Sequence, residues 1–589
     1  MIKLAKTLSM MLAGAAACAV IAAETSEPTP IKVWPRQERV NLPTNLEQFI
    51  FVEVPKLPVD GEFTIEMTLP ENITVKQFIT GKSPAVPPGE ISICPYEWQQ
   101  KDNNVIMKFP DGEFPEKEKG YLSFSADVQT APGEYQLGFK VTADGKEIQS
   151  NSIPVKIYPE LINRTSDIMR LGAWYYNGIA PEFIPVFVKQ FTAAGVNAFY
   201  SMEGEVVNGK VEPQSIADYA KESGCETGVV FFSNWVLDYI KQKGLPEEFK
   251  DVEITTQSLI DHPEAFKYAL KSYIDYTTAG KPYDVIIYDA ETGAIKGDGR
   301  VVGDLSQYSL EKFSRQFNID HTVTPEEILE KYQSEWIKYN CEQSNNIAAL
   351  TRELIDEQYP DRLLKVYSGY EYDFDPYKDL TRRLYAVDWN SMADTFIDYA
   401  GAGYYGSRQD LSHTAEVLSG RTVYIPAEMY VENFLTKNIG DLSPEKWAMR
   451  LIEVFMNSGM RGMTYWYAND MDGAALIAVS EFTKFVLLVE DFALRGTFDP
   501  DAISVMPKTE ADNVYVIRDT KQAMVVALNR SDKPKRIRLT LNDFKIKGYT
   551  SDLQITDMVS GEKIPANRNI TIEVEPWNYR VLQLLDDGN

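Results

Sequence analysis

Residues 285–294 read VIIYDAETGA. Val285, Ile286, Ile287 and Tyr288 form an unbroken apolar run, the pattern of a strand buried on both faces, and such strands belong to parallel sheets covered by helices. The run stops abruptly at Asp289, with Glu291 two residues on. Working outward, seven further runs of this kind lie between residues 165 and 497: IMRLGAWYY, VNAFYSM, ETGVVFFS, LLKVYSG, FIDYAGAGYYG, TVYIPAEMY and MRGMTYWY. Amphipathic segments separate them, among them PEFIPVFVKQFTAAG and EAFKYALKSYIDYTTAG. Eight strands alternating with helices over such a span predict a central (β/α)8 TIM barrel. An open, doubly wound sheet is the alternative, but no GxGxxG or GxxxxGK[ST] opens a helix after a strand.

The flanks read differently. Between residues 31 and 160, short alternating runs such as FIFVEV, FTIEMTL and VIMKF are separated by Pro, Gly and Asn. APGEYQLGFKVTADGKEIQSNSIPVKIYP is a hairpin signal with a DG turn, and the region predicts an immunoglobulin-like β-sandwich. Beyond residue 500, NVYVIRD, QAMVVALN, KRIRLTL and LQITDM predict a second β-sandwich. The first residues carry Lys3 and Lys6 ahead of an apolar, alanine-rich stretch, then ETSEPTP, the layout of a secretory signal peptide. The predicted organisation is a multidomain chain: signal peptide 1–23, N-terminal immunoglobulin-like sandwich 24–162, barrel 163–497 and C-terminal sandwich 498–589. Cleavage after Ala23 releases a soluble protein, whereas Ala15–Cys18 is a weak lipobox that leaves a lipid anchor at Cys18 open. Either route exports the chain to a periplasmic, secreted or outer-surface location. No later stretch is apolar enough for a transmembrane segment.

Composition narrows the chemistry. With 86 acidic against 59 basic residues the net charge is −27, and no basic cluster is present, so a nucleic-acid partner is not expected. Cys94, Cys225 and Cys341 are scattered, and His262, His321 and His413 are the only histidines. That inventory suits neither a disulfide scaffold, nor a His/Cys zinc site, nor an evident Ser-His-Asp triad. No metal and no cofactor are expected, and carboxylates are left to do the chemistry.

Functional groups of such barrels gather at the C-terminal ends of the strands. Strand one offers Trp174 and Tyr175, strand two Glu203, and strand three Asn234 and Trp235. Strand four offers Asp289 and Glu291, strand six Tyr404 and Tyr405, strand seven Glu428 and Tyr430, and strand eight Trp466. Glu432 is the alternative to Glu428 on strand seven. Residues two apart in an extended chain point the same way, so Asp289 and Glu291 are expected to share one pocket. Two acids on opposite sides of a mouth, with aromatic rings to stack on sugar faces, suit glycoside cleavage. The expected partner is a carbohydrate substrate, cleaved at O-glycosidic bonds of an oligo- or polysaccharide.

YDAE closing strand four, PAEMY closing strand seven and YWY closing strand eight resemble clan A of the glycoside hydrolases. The resemblance implies a retaining mechanism with Glu291 as acid/base and Glu428 as nucleophile. It also implies that Tyr404 or Tyr405 hydrogen-bonds the nucleophile from strand six and that Trp466 floors the substrate subsite from strand eight. Ala290 stands where that clan places Asn before the acid/base. Asp284, Asp289 and Glu291 resemble the chitinase-type DxxDxDxE motif, with Ile287 in place of one Asp. That likeness implies a substrate-assisted N-acetylhexosaminidase in which Asp289 orients the acetamido group and Glu291 is the acid. A barrel that binds carbohydrate without cleaving it is the third reading.

Overall fold

In the computed structural model, residues 32–586 are described apart from 35–38, 45, 54–62, 82–91, 94–97, 110–118, 127–129, 177–183, 203, 208–209, 212–213, 292, 369–379, 393–394, 396, 402–421, 425–426, 431–442, 458–461, 467, 469–470, 472, 520–521, 543–552 and 566. All eight apolar runs form strands, and all join one parallel sheet. Strands one to four are Leu171–Tyr175, Ala198–Ser201, Glu226–Phe231 and Val285–Asp289. Strands five and six are Leu363–Tyr367 and Ile397–Gly401. Strand seven comes in two pieces, Thr422–Tyr424 and Ala427–Tyr430, and strand eight is Met463–Trp466.

Each strand from one to six pairs with its sequence neighbour in parallel register. Strand one also pairs with strand eight, Gly172 opposite Thr464, which curls the sheet into a TIM-like barrel. The first piece of strand seven bonds strand six and the second bonds strand eight. Strands one, four and six are buried along their whole length, as their apolar runs require. Around them pack helices Ile184–Ala194, Pro263–Thr277, Gln333–Gln358, Pro444–Asn457 and Gly473–Arg495. Helix Gln333–Gln358 turns Trp336, Tyr339, Ile347 and Leu354 inward.

The barrel interior departs from the branched aliphatic filling common to this architecture. At its N-terminal end the Glu226 carboxylate accepts hydrogen bonds from Tyr399 at 2.8 Å, Tyr200 at 3.1 Å and the Arg170 guanidinium at 3.1 Å. Burial works against the Arg170 charge, but Glu226 and the Tyr399 hydroxyl outweigh it and raise the Arg170 pKa. Above this floor the fully buried ammonium of Lys365 lies 4.5 Å from the Tyr200 ring centre and 4.7 Å from that of Trp174. Tyr200 needs two glycines beside it. A Cβ at Gly172 would meet its ring at 2.7 Å, and one at Gly228 would meet it at 2.7 Å as well.

Further β units stand before and after the barrel. The N-terminal one has a five-stranded and a six-stranded sheet, and its DG hairpin pairs Gly133–Ala143 with Lys146–Tyr158. Asp144 and Gly145 both take positive φ there, the conformation of a two-residue hairpin turn. Its core, including Ile65, Met67, Val105, Leu137 and Val155, is separate from that of the barrel. The C-terminal unit has a six-stranded and a three-stranded sheet, and it is fused to the barrel more deeply. Met524, Val526, Leu528 and Val581 belong to the barrel's own core, while alternate residues Val525, Ala527 and Leu582 face the unit's second core.

Candidate active site

Strand four positions the acids, and its alternation decides where each points. Tyr288 faces outward: its ring stacks on Phe231 with 5.2 Å between centroids, and its hydroxyl reaches Ser344 of helix Gln333–Gln358 at 3.4 Å. Burial raises the pKa of that hydroxyl. Ile287 faces inward toward Gly228 and Tyr200. The period of two then puts Asp289 on the interior face as well, in register with Tyr367 of strand five. Asp289 is 2% exposed.

The expectation that Asp289 and Glu291 share a pocket is corrected by the structure. The strand ends at Asp289, and Glu291 already lies in a turn. Asp289 Oδ1 accepts the backbone N–H of Glu291 at 3.0 Å, an Asx turn that bends the chain out of the extended geometry the expectation needed. Glu291 lines a cavity of about 530 Å³ outside the strand, and Asp289 is not part of its lining.

Two neighbouring sites result. The first is the barrel mouth. Trp174 lies 5.4 Å from Tyr367 and 5.9 Å from Trp466 between ring centroids, and Tyr176 lies 5.9 Å from Trp466. Trp174 is fully packed at 1% exposed, so it underlies the mouth, whereas Trp466 and Tyr176 are half-buried and reach its surface. The second is the lateral cavity. Helix Ser233–Lys243 starts directly after strand three and carries Asn234 and Trp235 to one wall. The loop after strand four supplies Glu291, Lys296 and Asp304, and helix Gln333–Gln358 supplies Asn340, Gln343 and Ser344. Asn234 is exposed at the rim, and Trp235 is half-buried against Phe232, with 4.4 Å between ring centroids and 60° between ring planes.

The structure therefore brings Asn234 to Glu291, and Trp174 and Trp466 to the face that carries Asp289. Glu203, Tyr404, Tyr405 and Glu432 lie outside the described residues. Glu428 and Tyr430 are described as strand backbone, in register with Thr464 and Trp466, and their side chains lie outside the described part. Asp388 caps helix Trp389–Met392 through the N–H of Asn390 and the hydroxyl of Ser391. Cys225 and Cys341 are buried thiols in no disulfide, and burial pushes the Cys225 thiol up to about 12.

Sequence reading missed Lys365, Tyr367, Asn340 and Gln343. A lysine in the middle of the doubly buried run LLKVY was a usable signal, because a charge there demands a specific partner. Asn340 and Gln343 carried none, since polar residues on a long helix are ordinarily on its wet face. Among the described residues, no group of three or more His, Cys, Asp or Glu is arranged to hold a metal ion. No helix of the described residues is long and apolar enough to cross a membrane.

No family model matches the chain, and no curated protein matches it by sequence. Among solved structures it is similar to a GH27 β-L-arabinopyranosidase from Geobacillus stearothermophilus, at 9% identity and a TM-score of 0.40, covering 72% of this chain and 97% of that one. A family 39 glycoside hydrolase from Bacteroides cellulosilyticus WH2 aligns at 10% identity and a TM-score of 0.37, covering 94% and 99%. An α-fucosidase from Thermotoga maritima aligns at 12% identity and a TM-score of 0.34, covering 68% and 78%. Likenesses of this size assign no role to any residue here.

Proposed function

We propose that the protein is an exported glycoside hydrolase that cleaves O-glycosidic bonds of oligo- or polysaccharides. The observation that carries this reading is the acidic end of strand four. It sets Asp289 on the barrel's aromatic inner face and Glu291 on an adjoining polar cavity, with Trp466 and Trp235 offering rings at the two sites.

Glu291 protonates the leaving oxygen, and Glu428 attacks the anomeric carbon to form a glycosyl-enzyme. Glu291 then takes a proton from the incoming water, which releases the sugar with its configuration retained. Tyr404, Tyr405, Tyr430 and Asn234 complete the substrate contacts in this proposal, and Trp174 supports the mouth from below. The retaining chemistry requires the two carboxyl groups to stand roughly 5–5.5 Å apart. The test is a panel of aryl glycosides given to the wild type, Glu291→Gln and Glu428→Gln, with the first-formed anomer followed by NMR. Wild-type turnover with retention, lost in both variants, supports the reading. Saccharide binding without any turnover sinks it and leaves a carbohydrate-binding barrel.

A second reading, carried by the Asp289 and Glu291 spacing, is a substrate-assisted reaction on 2-acetamido sugars, and it needs one sugar to reach both acids across the turn that parts them. In that case activity is confined to 2-acetamido substrates, falls in Asp289→Asn and Glu291→Gln, and survives Glu428→Gln. The domain layout and the export signal over residues 1–23 belong to the same proposal. N-terminal sequencing of the mature protein tests whether cleavage follows Ala23 or leaves Cys18 at the terminus.

A further inference from the structure

The lateral cavity carries more chemistry than an acid and a ring. Two amide side chains from successive turns of helix Gln333–Gln358, Asn340 and Gln343, line it while only 3% and 5% exposed. Each donates its NH2 group back into the protein, Asn340 to the carbonyl oxygen of Trp336 at 2.8 Å and Gln343 to Gln257 Oε1 at 2.9 Å. Those bonds set the orientation of both amides. They leave two side-chain carbonyl oxygens that accept nothing from the protein among the described residues. Neither oxygen is sealed from solvent, so hydroxyl groups of a molecule in the cavity can donate to both in place of water.

The same cavity is lined by Lys241 and Lys296. Neither ammonium has an ion-pair partner among the described residues, although the chain carries 86 acidic residues against 59 basic ones. The cavity's carboxylates are Glu291 and Asp304, and Asp304 is engaged with backbone. Its carboxylate accepts the backbone N–H of Gln257 at 2.8 Å and of Ser306 at 3.1 Å, at the starts of helices Thr256–Asp261 and Gln307–Gln316. An overall charge of −27 repels anions, so an anion held here depends on these two local cations. Acceptors for hydroxyl groups, free cations and a half-buried indole define a ligand that is hydroxylated, ring-shaped and negatively charged.

We propose that this cavity is a subsite for a sugar bearing an anionic substituent, a carboxylate or a sulfate, whose hydroxyls donate to Asn340 and Gln343 and whose anion meets Lys241 and Lys296. The inference rests on the hydrolase reading only for the meaning of the subsite: the enzyme then acts on an acidic glycan, with Glu291 beside the charged unit.

Binding is measured without turnover. Saturation-transfer NMR and titration of the full mature protein with galacturonic acid, galactose 6-sulfate and galactose provide the comparison. At least one anionic sugar binds about tenfold more tightly than galactose, and high salt erodes the difference. A Lys241→Met/Lys296→Met double variant, altered at one exposed and one half-buried position, loses the preference. Circular dichroism that matches the wild type shows that the variant is folded. Galactose binding as tightly as both anionic sugars, a preference that survives in the double variant, or no detectable binding of either anionic sugar each overturns the proposal. Failure here leaves the hydrolase reading standing, while preference without turnover of any glycoside sinks that reading alone.

Discussion

The barrel mouth and the lateral cavity stand two residues apart in the chain and share almost no chemistry. The mouth has Asp289 on its inner face among Trp174, Tyr367 and Trp466, above a lysine sandwiched between rings. The cavity has Glu291 among amides, two ammoniums and an exposed asparagine. One hydrogen bond, from the Glu291 N–H to Asp289 Oδ1, separates them. A spacing of two residues is thus no evidence that two acids act in one pocket. What decides is whether the strand continues through both.

The contrast can be broken by substitution. Glu291→Gln has the largest expected effect, a fall in kcat of about 10²–10⁴ for loss of a general acid, with saccharide binding retained. If Asp289→Asn costs more than Glu291→Gln in steady-state assays, the mouth and not the cavity holds the acid. Next comes Gly228→Ala. Its Cβ would meet Tyr200 at 2.7 Å and Ile287 at 2.9 Å, and overpacking of this kind costs about 1–3 kcal/mol. Thermal melting should show the loss, and the cavity's affinity for sugars should not follow it, because the clash lies inside the barrel.

Asp289 itself separates charge from turn. Asp289→Leu leaves the Glu291 N–H without its acceptor and should destabilise by about 1–3 kcal/mol in urea, whereas Asp289→Asn keeps an acceptor and most of that stability. Equal losses in the two would show that the charge, and not the turn, is what the position supplies. The smallest expected effect is Trp235→Ala. Removing a half-buried ring from the cavity should weaken saccharide binding by about 0.5–1.5 kcal/mol and leave Tm nearly unchanged. A weakening at the mouth's Trp466→Ala instead would move the sugar platform to the other site.

Much of the architecture is legible in the sequence. The run VIIYD and its seven counterparts are strands of one parallel sheet, and VIIYD is buried at every position, because a strand covered on both faces must be apolar throughout. The hairpin around Asp144 and Gly145 was legible for a different reason: that turn needs positive φ at both central residues. The site was less legible. Lys365 is fully buried in the middle of strand five, away from the strand ends where barrel chemistry is expected. Asn340 and Gln343 follow Glu291 by some fifty residues, and nothing local marks them as its neighbours.

The sequence by itself determined which segments are strands, how they alternate with helices, and that strand four ends in acids, because these follow from periodicity and burial within a few consecutive residues. Tertiary structure alone decided that Asp289 turns inward while Glu291 turns aside. It also decided that Lys241, Lys296, Asn340 and Gln343 meet around Glu291. Those outcomes depend on where a strand stops and on which helix packs beside it, and both are set by contacts between segments far apart in the chain.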